Sequence, residues 1–241
     1  MAVDPKIEIR PPFFEIGPKA YMYGRQLVDL ARRADDLSRA YDIQVILTPQ
    51  AVDIAATCAA VERVLVFAQH MDSLRPGRGV GSVLPEAVRA AGASGVLLNH
   101  VERRLSRPEL ALAMRRADEV GLATMVCADD AVDAASIAEL APDIIIVEAP
   151  VLIAGGRRDA ADREAVASTN AAVWQVNPAI RVLHGAGIST AQDVYDVIAA
   201  GAQATGSSSA IFTAADPGAM LEAMIRSVRD AWNQAHGWRS D

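Results

Sequence analysis

The sequence predicts a single α/β domain with the (β/α)8 barrel fold. Its 241 residues are close to the roughly 250 typical of that fold. Short apolar runs of strand length recur along the chain, and Ala-rich segments with helical spacing separate most of them. This alternation is typical of parallel strands joined by helices. No G-x-G-x-x-G motif opens a helix after the first run, which disfavours an open dinucleotide-binding sheet.

Eight runs carry the strand pattern, the number that a closed barrel requires. They cover residues 13–17, 43–48, 64–69, 95–100, 123–128, 144–149, 181–186 and 203–207. Helical patterns cover residues 24–39, 84–91, 107–120, 133–140, 162–176, 191–200 and 217–232. We therefore expect one domain over residues 1–241, with the barrel at about 13–230 and a short extension at each end.

Residues at the predicted helix ends support these boundaries. Gly92, Gly121 and Gly201 each follow a helical segment, where a left-handed residue commonly ends a helix. Ser106 and Ser189 precede helical segments and are candidate N-caps.

The composition excludes several classes of function. The formal net charge is −7, whereas nucleic-acid binding needs a basic surface, so we expect no nucleic-acid partner. No apolar run reaches the length of a membrane span, and residues 1–10 lack the apolar core of a signal peptide. Cys58 and Cys127 have no metal-binding or disulfide-framework spacing. We therefore expect a soluble cytoplasmic protein that has no metal and no cofactor.

Polar side chains follow several of the predicted strands. In a barrel the C-terminal ends of all strands meet on one face, where the active site is built. Lys19, Gln69, His100, Glu102 and Glu148 all lie at such ends and should come together. Other histidines, His70 and His184, also lie near strand ends, so position alone does not single out His100.

Three of these side chains have an obvious chemistry. Glu148 follows an apolar run, where partial desolvation raises a carboxyl pKa towards that of a general base, although an exposed rim carboxylate is the alternative. His100 is either a neutral imidazole that polarises a carbonyl or a structural histidine of its loop. Lys19, one of the chain's two lysines, could stabilise an oxyanion as a compact charge or could have no special role.

Two Gly- and Ser-containing loops follow the last two strands. Barrels commonly hold phosphate there through backbone N–H groups. The candidates in these loops are Gly187, Ser189, Ser208 and Ser209.

Four motifs occur in order along the chain. They are Gly17-Pro18-Lys19, Asn99-His100-Val101-Glu102, Glu148-Ala149-Pro150 with Ile153-Ala154-Gly155-Gly156, and His184-Gly185-Ala186-Gly187-Ile188-Ser189. Their order and spacing resemble those of the triosephosphate isomerase family, and most closely its compact archaeal-type branch. The resemblance extends from about residue 13 to about residue 229 and implies a TIM barrel.

The resemblance implies a role for each matching residue. Glu148 matches the family's base, and His100 matches the neutral electrophile that polarises the substrate carbonyl. Lys19 matches the lysine beside the developing enediolate, and Glu102 matches the carboxylate that supports this lysine. Residues 151–158 match a lid that closes on the substrate, in which Ile153 and Gly155 are candidate substrate contacts.

The sequence departs from the family pattern at several of these positions. Gly17, itself a candidate substrate contact, stands where the family has an asparagine, and Val101 replaces a serine. Ala149 replaces a proline, and Arg157 and Arg158 add two charges to the lid. We expect the chemistry to be retained and the substrate contacts to be changed, and the missing asparagine side chain could make room for a larger sugar.

The leading functional hypothesis is an aldose–ketose isomerase that interconverts dihydroxyacetone phosphate and glyceraldehyde 3-phosphate, as in glycolysis. A tetrose or tetrulose phosphate is the rival substrate. Two further hypotheses are a lyase or aldolase that uses Lys19 as a Schiff base, and a catalytically silent binding barrel. The resemblance also implies a homo-oligomer, either a dimer or a tetramer, with residues 75–82 in the contact.

Overall fold

The computed structural model describes residues 6–148 and 160–237. Its eight parallel strands close into a barrel in sequence order, and β8 pairs with β1. The strands are β1 (Phe13–Ile16), β2 (Gln44–Leu47), β3 (Leu65–Ala68), β4 (Gly95–Leu98), β5 (Ala123–Ala128), β6 (Ile144–Val147), β7 (Arg181–His184) and β8 (Ala204–Ser207). The barrel predicted from the sequence is confirmed, and each strand lies within its predicted run.

The helices pack around the outside of this barrel. They are α1 (Gly24–Tyr41), α2 (Ile54–Cys58), α3 (Pro85–Ala90), α4 (Arg107–Val120), α5 (Ala131–Ala138), α6 (Ala160–Val176), α7 (Ala191–Ala199), α8 (Ser209–Phe212) and α9 (Pro217–His236). A 3-10 turn at Ala51–Asp53 leads into α2. The prediction missed α2 and α8 because they are too short to show a helical period.

Strand residues alternate between two apolar layers. Phe13, Ile46, Phe67, Met125 and Ile146 belong to the cluster that fills the barrel. Their neighbours along the chain face outwards and pack against the helices, as Phe14 and Ile16 do against α1. By the same alternation Glu15 faces inwards like Phe13, and so does Gly17, which directly follows β1.

The residues predicted to end or cap helices are confirmed except for Ser189, whereas several helix bounds differ by one to four residues from the predicted ones. Gly92, Gly121 and Gly201 all have positive φ, and Ser106 caps α4 in a capping box with Glu109. Ser189 is not the N-cap of α7, because that role belongs to Thr190. Asp193 accepts hydrogen bonds from the backbone N–H groups of both residues, which sets the start of the helix one residue later.

Across the described ranges, no helix combines the length and apolar character that crossing a bilayer requires.

Candidate active site

His100 is presented by a turn that Asn99 holds in place. Asn99 follows β4 with a φ of 61°, a left-handed conformation that Asn adopts more readily than most residues. Its side chain is buried, donates to the Cys127 carbonyl at 3.0 Å and accepts from the Leu105 N–H at 3.1 Å. The turn between β4 and α4 is thus fixed against β5, and so is the position of His100.

The contacts of the His100 ring select its tautomer. Nδ1 accepts the backbone N–H of Glu102 at 3.1 Å, so in the neutral ring the hydrogen lies on Nε2. Burial lowers the pKa of His100, the positive charges of Lys19 and Arg104 lower it further, and Glu102 opposes them. These contacts support a neutral imidazole that offers Nε2–H to the site. This backbone partner, the N–H of Glu102, lies in the turn before α4.

Glu148 faces His100 from the end of β6. The distance from His100 Nε2 to Glu148 Oε2 is 3.7 Å. The Glu148 N–H extends the sheet by donating to the Ala128 carbonyl at 2.9 Å. A Cβ on Gly185 would lie 2.6 Å from Glu148 Oε1, so a side chain there would displace the carboxylate. The glycine after β7 therefore makes room for Glu148.

Lys19 is fixed both at its ammonium and at its backbone. Its Nζ lies 2.7 Å from Glu102 Oε1, and this hydrogen bond lowers the pKa of Glu102. Lys19 has a φ of 46°, and Gln69 Nε2 donates to its carbonyl at 2.9 Å and to the Thr48 carbonyl at 2.8 Å. Gln69 therefore holds the strained Lys19 backbone against the end of β2, a role that its position after a strand did not indicate.

The other two histidines near strand ends have structural contacts. His70 Nε2 lies 3.2 Å from Asp72 Oδ1, and Asp72 in turn accepts the Val83 N–H at 2.7 Å. His184 is buried, with Nε2 2.9 Å from Asn170 Oδ1. In both rings Nε2 contacts a side chain that stabilises the fold, whereas Nε2 of His100 faces Glu148 across the site at 3.7 Å.

The two Gly- and Ser-containing loops lie beside each other at the same end of the barrel. Ala186 and Gly187 both have positive φ, and Ser207 Oγ donates to the Ile188 carbonyl at 3.0 Å, which joins the loops. Ser208 Oγ donates to the Gly17 carbonyl. The Ser189 N–H donates to Asp193 Oδ2 at 2.9 Å. Ser189 can therefore bind a ligand through its hydroxyl but not through this N–H.

Some predicted site residues fall outside the described ranges. These are Ile153 and Gly155, together with the rest of the predicted lid at 151–158. The side chains that the structure does bring to one end of the barrel are those of Lys19, His100, Glu102 and Glu148, close to the two loops.

Sequence reasoning missed Glu15 of β1. A Cβ on residue 17 would lie 3.2 Å from Glu15 Oε1, so the Glu15 carboxyl fills the space beside Gly17. The Glu15 carboxyl therefore occupies part of the space that the missing asparagine side chain was expected to leave. A carboxylate on the inward face of an otherwise apolar strand, two residues before that glycine, was the signal in the sequence.

The fold and this cluster define the class of protein, a (β/α)8-barrel enzyme with an acid–base site at its strand ends. A family model described as triosephosphate isomerase matches residues 16–224. The triosephosphate isomerase of Methanosarcina mazei is 37% identical over 220 residues, which cover 90% of this chain and 99% of that protein.

Further relatives come from other archaea. The triosephosphate isomerase of Sulfurisphaera tokodaii is 34% identical over 219 residues, which cover 90% of this chain and 95% of that protein. That of Saccharolobus solfataricus is 32% identical over 222 residues, which cover 91% and 97%. The chain belongs to the triosephosphate isomerase family, which confirms the resemblance seen in its motifs.

Proposed function

We propose that the protein interconverts dihydroxyacetone phosphate and glyceraldehyde 3-phosphate through an enediolate. The observation that carries the proposal is the pair formed by His100 Nε2 and Glu148 Oε2 at 3.7 Å, with the hydrogen of the neutral ring on Nε2. A base and a hydrogen-bond donor at this separation can act on a carbon and on the carbonyl oxygen next to it.

Each group has one task in the reaction. Glu148 removes a proton from C1 of dihydroxyacetone phosphate while His100 donates a hydrogen bond to the carbonyl oxygen on C2. Lys19, paired with Glu102, stabilises the negative charge that builds on this oxygen. Glu148 then returns the proton to C2, and a proton moves from the C1 oxygen to the C2 oxygen. No atom is gained or lost, as an isomerisation requires.

Phosphate binding is the second part of the proposal. Gly187, Ser189 and Ser208 lie in the loops after β7 and β8, and Ser209 begins the short helix α8, in the part of the fold where barrels commonly bind phosphate. Gly17, whose carbonyl accepts from Ser208 Oγ, connects these loops to the residues around Lys19. A phosphate held there would place the carbon chain of the substrate towards Glu148.

The ion pair of Lys19 argues against the Schiff-base alternative. Its Nζ donates to Glu102 Oε1 at 2.7 Å, an arrangement that uses the lysine as a cation and not as a nucleophile. The Glu15 carboxyl beside Gly17 reduces the room for a larger sugar and so favours the triose phosphates.

The experiment compares wild type with Glu148→Gln in a coupled assay of glyceraldehyde 3-phosphate isomerisation. Loss of the base should lower kcat at least about 10²-fold with the fold intact. Glu164→Gln, the same change on the exposed part of α6, is the matched control and should keep the wild-type rate. A wild type without turnover, or a fully active Glu148→Gln, contradicts the proposal. Borohydride trapping of substrate on Lys19 would instead support the aldolase.

Self-association and a cytoplasmic location belong to the same proposal. Residues 75–82 project after β3, and Val80 within them is fully exposed, which suits a contact with a second copy. Cys58 and Cys127 are free thiols, as expected in a reducing compartment. Light scattering of wild type and Val80→Asp measures the molar mass in solution. If residues 75–82 form the contact, the variant should have the smaller mass.

A further inference from the structure

Glu15 is a carboxyl group inside the barrel that the reaction described above does not use. Its strand neighbours Phe14 and Ile16 face the helices, whereas Glu15 faces inwards above Phe13. It is nevertheless partly exposed, although Phe13, Phe14 and Ile16 are not exposed at all. An inward side chain of a packed barrel is exposed only where the interior opens, which here is the end that bears the site.

The surroundings of the carboxyl leave one oxygen for a ligand. Oε1 accepts a hydrogen bond from the buried Thr48 Oγ1 at 2.9 Å. Oε2 has no hydrogen-bond partner in the part of the chain that the structure describes. A Cβ on Gly206 would lie 2.8 Å from Oε2, so the glycine in β8 is what makes room for this atom. Glycines on both sides, Gly17 and Gly206, thus shape a space that the carboxyl fills.

The charged groups around Glu15 are those of the active site. Burial raises the pKa of Glu15 to about 8, and the carboxylate of Glu148 raises it too, whereas the Thr48 hydrogen bond and Lys19 lower it. The Cys127 thiol on β5 is also within electrostatic range, and burial, Glu148 and Glu15 raise its pKa. Glu15 is therefore mostly a neutral acid at pH 7, with a proton that Oε2 can donate.

We propose that Glu15 is a substrate-binding residue of this site, with its Oε2 forming a hydrogen bond to the sugar-phosphate oxygen that lies beside Lys19 Nζ. The Thr48 hydroxyl lies 2.9 Å from Glu15 Oε1 and 3.3 Å from the Ile16 carbonyl, and its donation across the shorter contact, to Oε1, places the carboxyl proton on Oε2. A neutral acid suits this position better than a carboxylate, which would repel the negative charge that builds on the same oxygen. The inference rests on the proposed isomerase function and adds a residue to its substrate contacts.

The test compares wild type with two variants of similar side-chain length. Glu15→Gln keeps a neutral hydrogen-bond donor that cannot ionise, and Glu15→Met keeps the volume without a donor. For each protein, kcat and KM are measured with dihydroxyacetone phosphate from pH 6.5 to 9.5. Binding of 2-phosphoglycolate, whose carboxylate has two oxygens like an enediolate, is measured by calorimetry over the same range. Circular dichroism and thermal melting check that both variants fold.

We expect kcat/KM of Glu15→Met to fall about tenfold at pH 7, the loss of roughly one hydrogen bond. Glu15→Gln should stay within about threefold of wild type there, since it retains the donor. As the pH rises through about 8, wild type should lose activity and Glu15→Gln should lose less, because only Glu15 ionises. The affinity for 2-phosphoglycolate should follow the same order.

Four outcomes would overturn the inference or separate it from the proposed function. Wild-type kinetics and affinity in Glu15→Met, or an unchanged alkaline loss in Glu15→Gln, would show that Glu15 does not contact the ligand. If Glu15→Met fails to fold, the comparison of pH profiles between wild type and Glu15→Gln decides alone. A wild type that binds 2-phosphoglycolate in a Glu15-dependent way without turnover would refute the isomerase function and support the contact. A wild type with neither property refutes both.

Discussion

The Glu15 carboxyl occupies the space that a side chain at residue 17 would need at the end of β1. Glu15 and Gly17 lie two residues apart on the inward face, and a Cβ on residue 17 would come within 3.2 Å of Glu15 Oε1. A larger side chain at residue 17 is therefore compatible with this structure only if Glu15 moves. The Glu15 carboxyl thus lies beside the position at which this chain has a glycine in place of the asparagine of the family motif.

Restoring the asparagine should therefore harm the protein. Gly17→Asn brings a Cβ within 3.2 Å of Glu15 Oε1, so the carboxyl must shift from its place against Thr48 and Gly206, and overpacking of this kind costs about 1–3 kcal/mol. For a chain of this length we expect a fall in Tm of roughly 2–10 °C, together with reduced activity. Glu15→Ala in the same chain frees the space, so the double variant should lose less than the sum of the single losses. Additive losses in melting and kinetics would refute the shared space.

Glu15 should also make stability depend on pH. Its pKa is raised in the folded chain to about 8 from an ordinary value of 4.5. The unfolded chain thus ionises first, and the penalty for keeping Glu15 protonated in the fold grows from about pH 4.5 to about pH 8 and is then constant. The advantage of Glu15→Gln over wild type in Tm should grow across that window. A Tm difference between the two proteins that stays constant from pH 5 to pH 9 would contradict the raised pKa.

Sequence patterns predicted the barrel because they reflect burial. β-branched and apolar runs such as the one in β6 recur at the right spacing, and Gly121 and Ser106 mark helix ends through backbone requirements that any sequence must meet. The short helix α2 was missed because five residues do not show a period.

The site was predictable only as a set of residues at one end. Parallel topology brings Lys19, His100 and Glu148 to the same face without further information. It does not indicate which nitrogen of His100 faces Glu148, since that depends on the hydrogen bond from the Glu102 N–H. Glu15 was missed because its effect depends on the two glycines beside its carboxyl, and one of them lies on a strand remote in sequence.

The tautomer of His100 leads to a kinetic prediction. His100→Gln keeps a side chain that can donate a hydrogen bond but loses the ring fixed by the Glu102 N–H. Its hydrogen bond strengthens only as charge builds on the carbonyl oxygen, so kcat should fall by about 10²-fold and KM should change much less. His184→Gln is unsuitable as a control because that ring is buried. His236→Gln, at the exposed last residue of α9, should leave kcat and KM unchanged. A rise in KM alone would assign His100 to binding.

The lowered pKa of His100 sets the acid side of the pH profile. The ring gains its proton only at a pH below its ordinary value of 6.5, because burial and the charge of Lys19 disfavour the imidazolium. Activity should therefore not fall with His100 titration between pH 7.5 and about 6.5. Lys19→Met removes one of the charges that lower this pKa, so the ring in that variant should titrate at higher pH, as followed by NMR of its carbon-bound protons. An unchanged titration would show that Lys19 does not act on the ring.

Gln69 gives a prediction about how the lysine is positioned. Its side-chain amide donates to the Lys19 and Thr48 carbonyls. Gln69→Leu keeps a similar side-chain volume but removes both of these hydrogen bonds. Lys19 adopts φ 46° only because such contacts hold it, so we expect its ammonium to lose its fixed place beside Glu102. The kcat should then fall about tenfold or more, with a loss of stability of about 1–3 kcal/mol from the unpaired carbonyls. Full activity despite a lowered Tm would limit Gln69 to a structural role.

A buried arginine gives the last prediction, which concerns stability alone. Arg116 of α4 has a side chain that is 3% exposed, and it donates to Glu86 at 2.5 Å, to Glu119 and to the Leu74 carbonyl. Arg116→Met removes these contacts, but the partner carboxylates of Glu86 and Glu119 are 36% and 42% exposed and remain hydrated, so the expected cost is about 1–3 kcal/mol. Arg75→Met is the matched control, since Arg75 pairs with Glu119 on the surface with a side chain that is 68% exposed. It should change the free energy of unfolding by less than about 1 kcal/mol. Equal effects of the two substitutions in denaturant titrations would show that burial does not determine the cost.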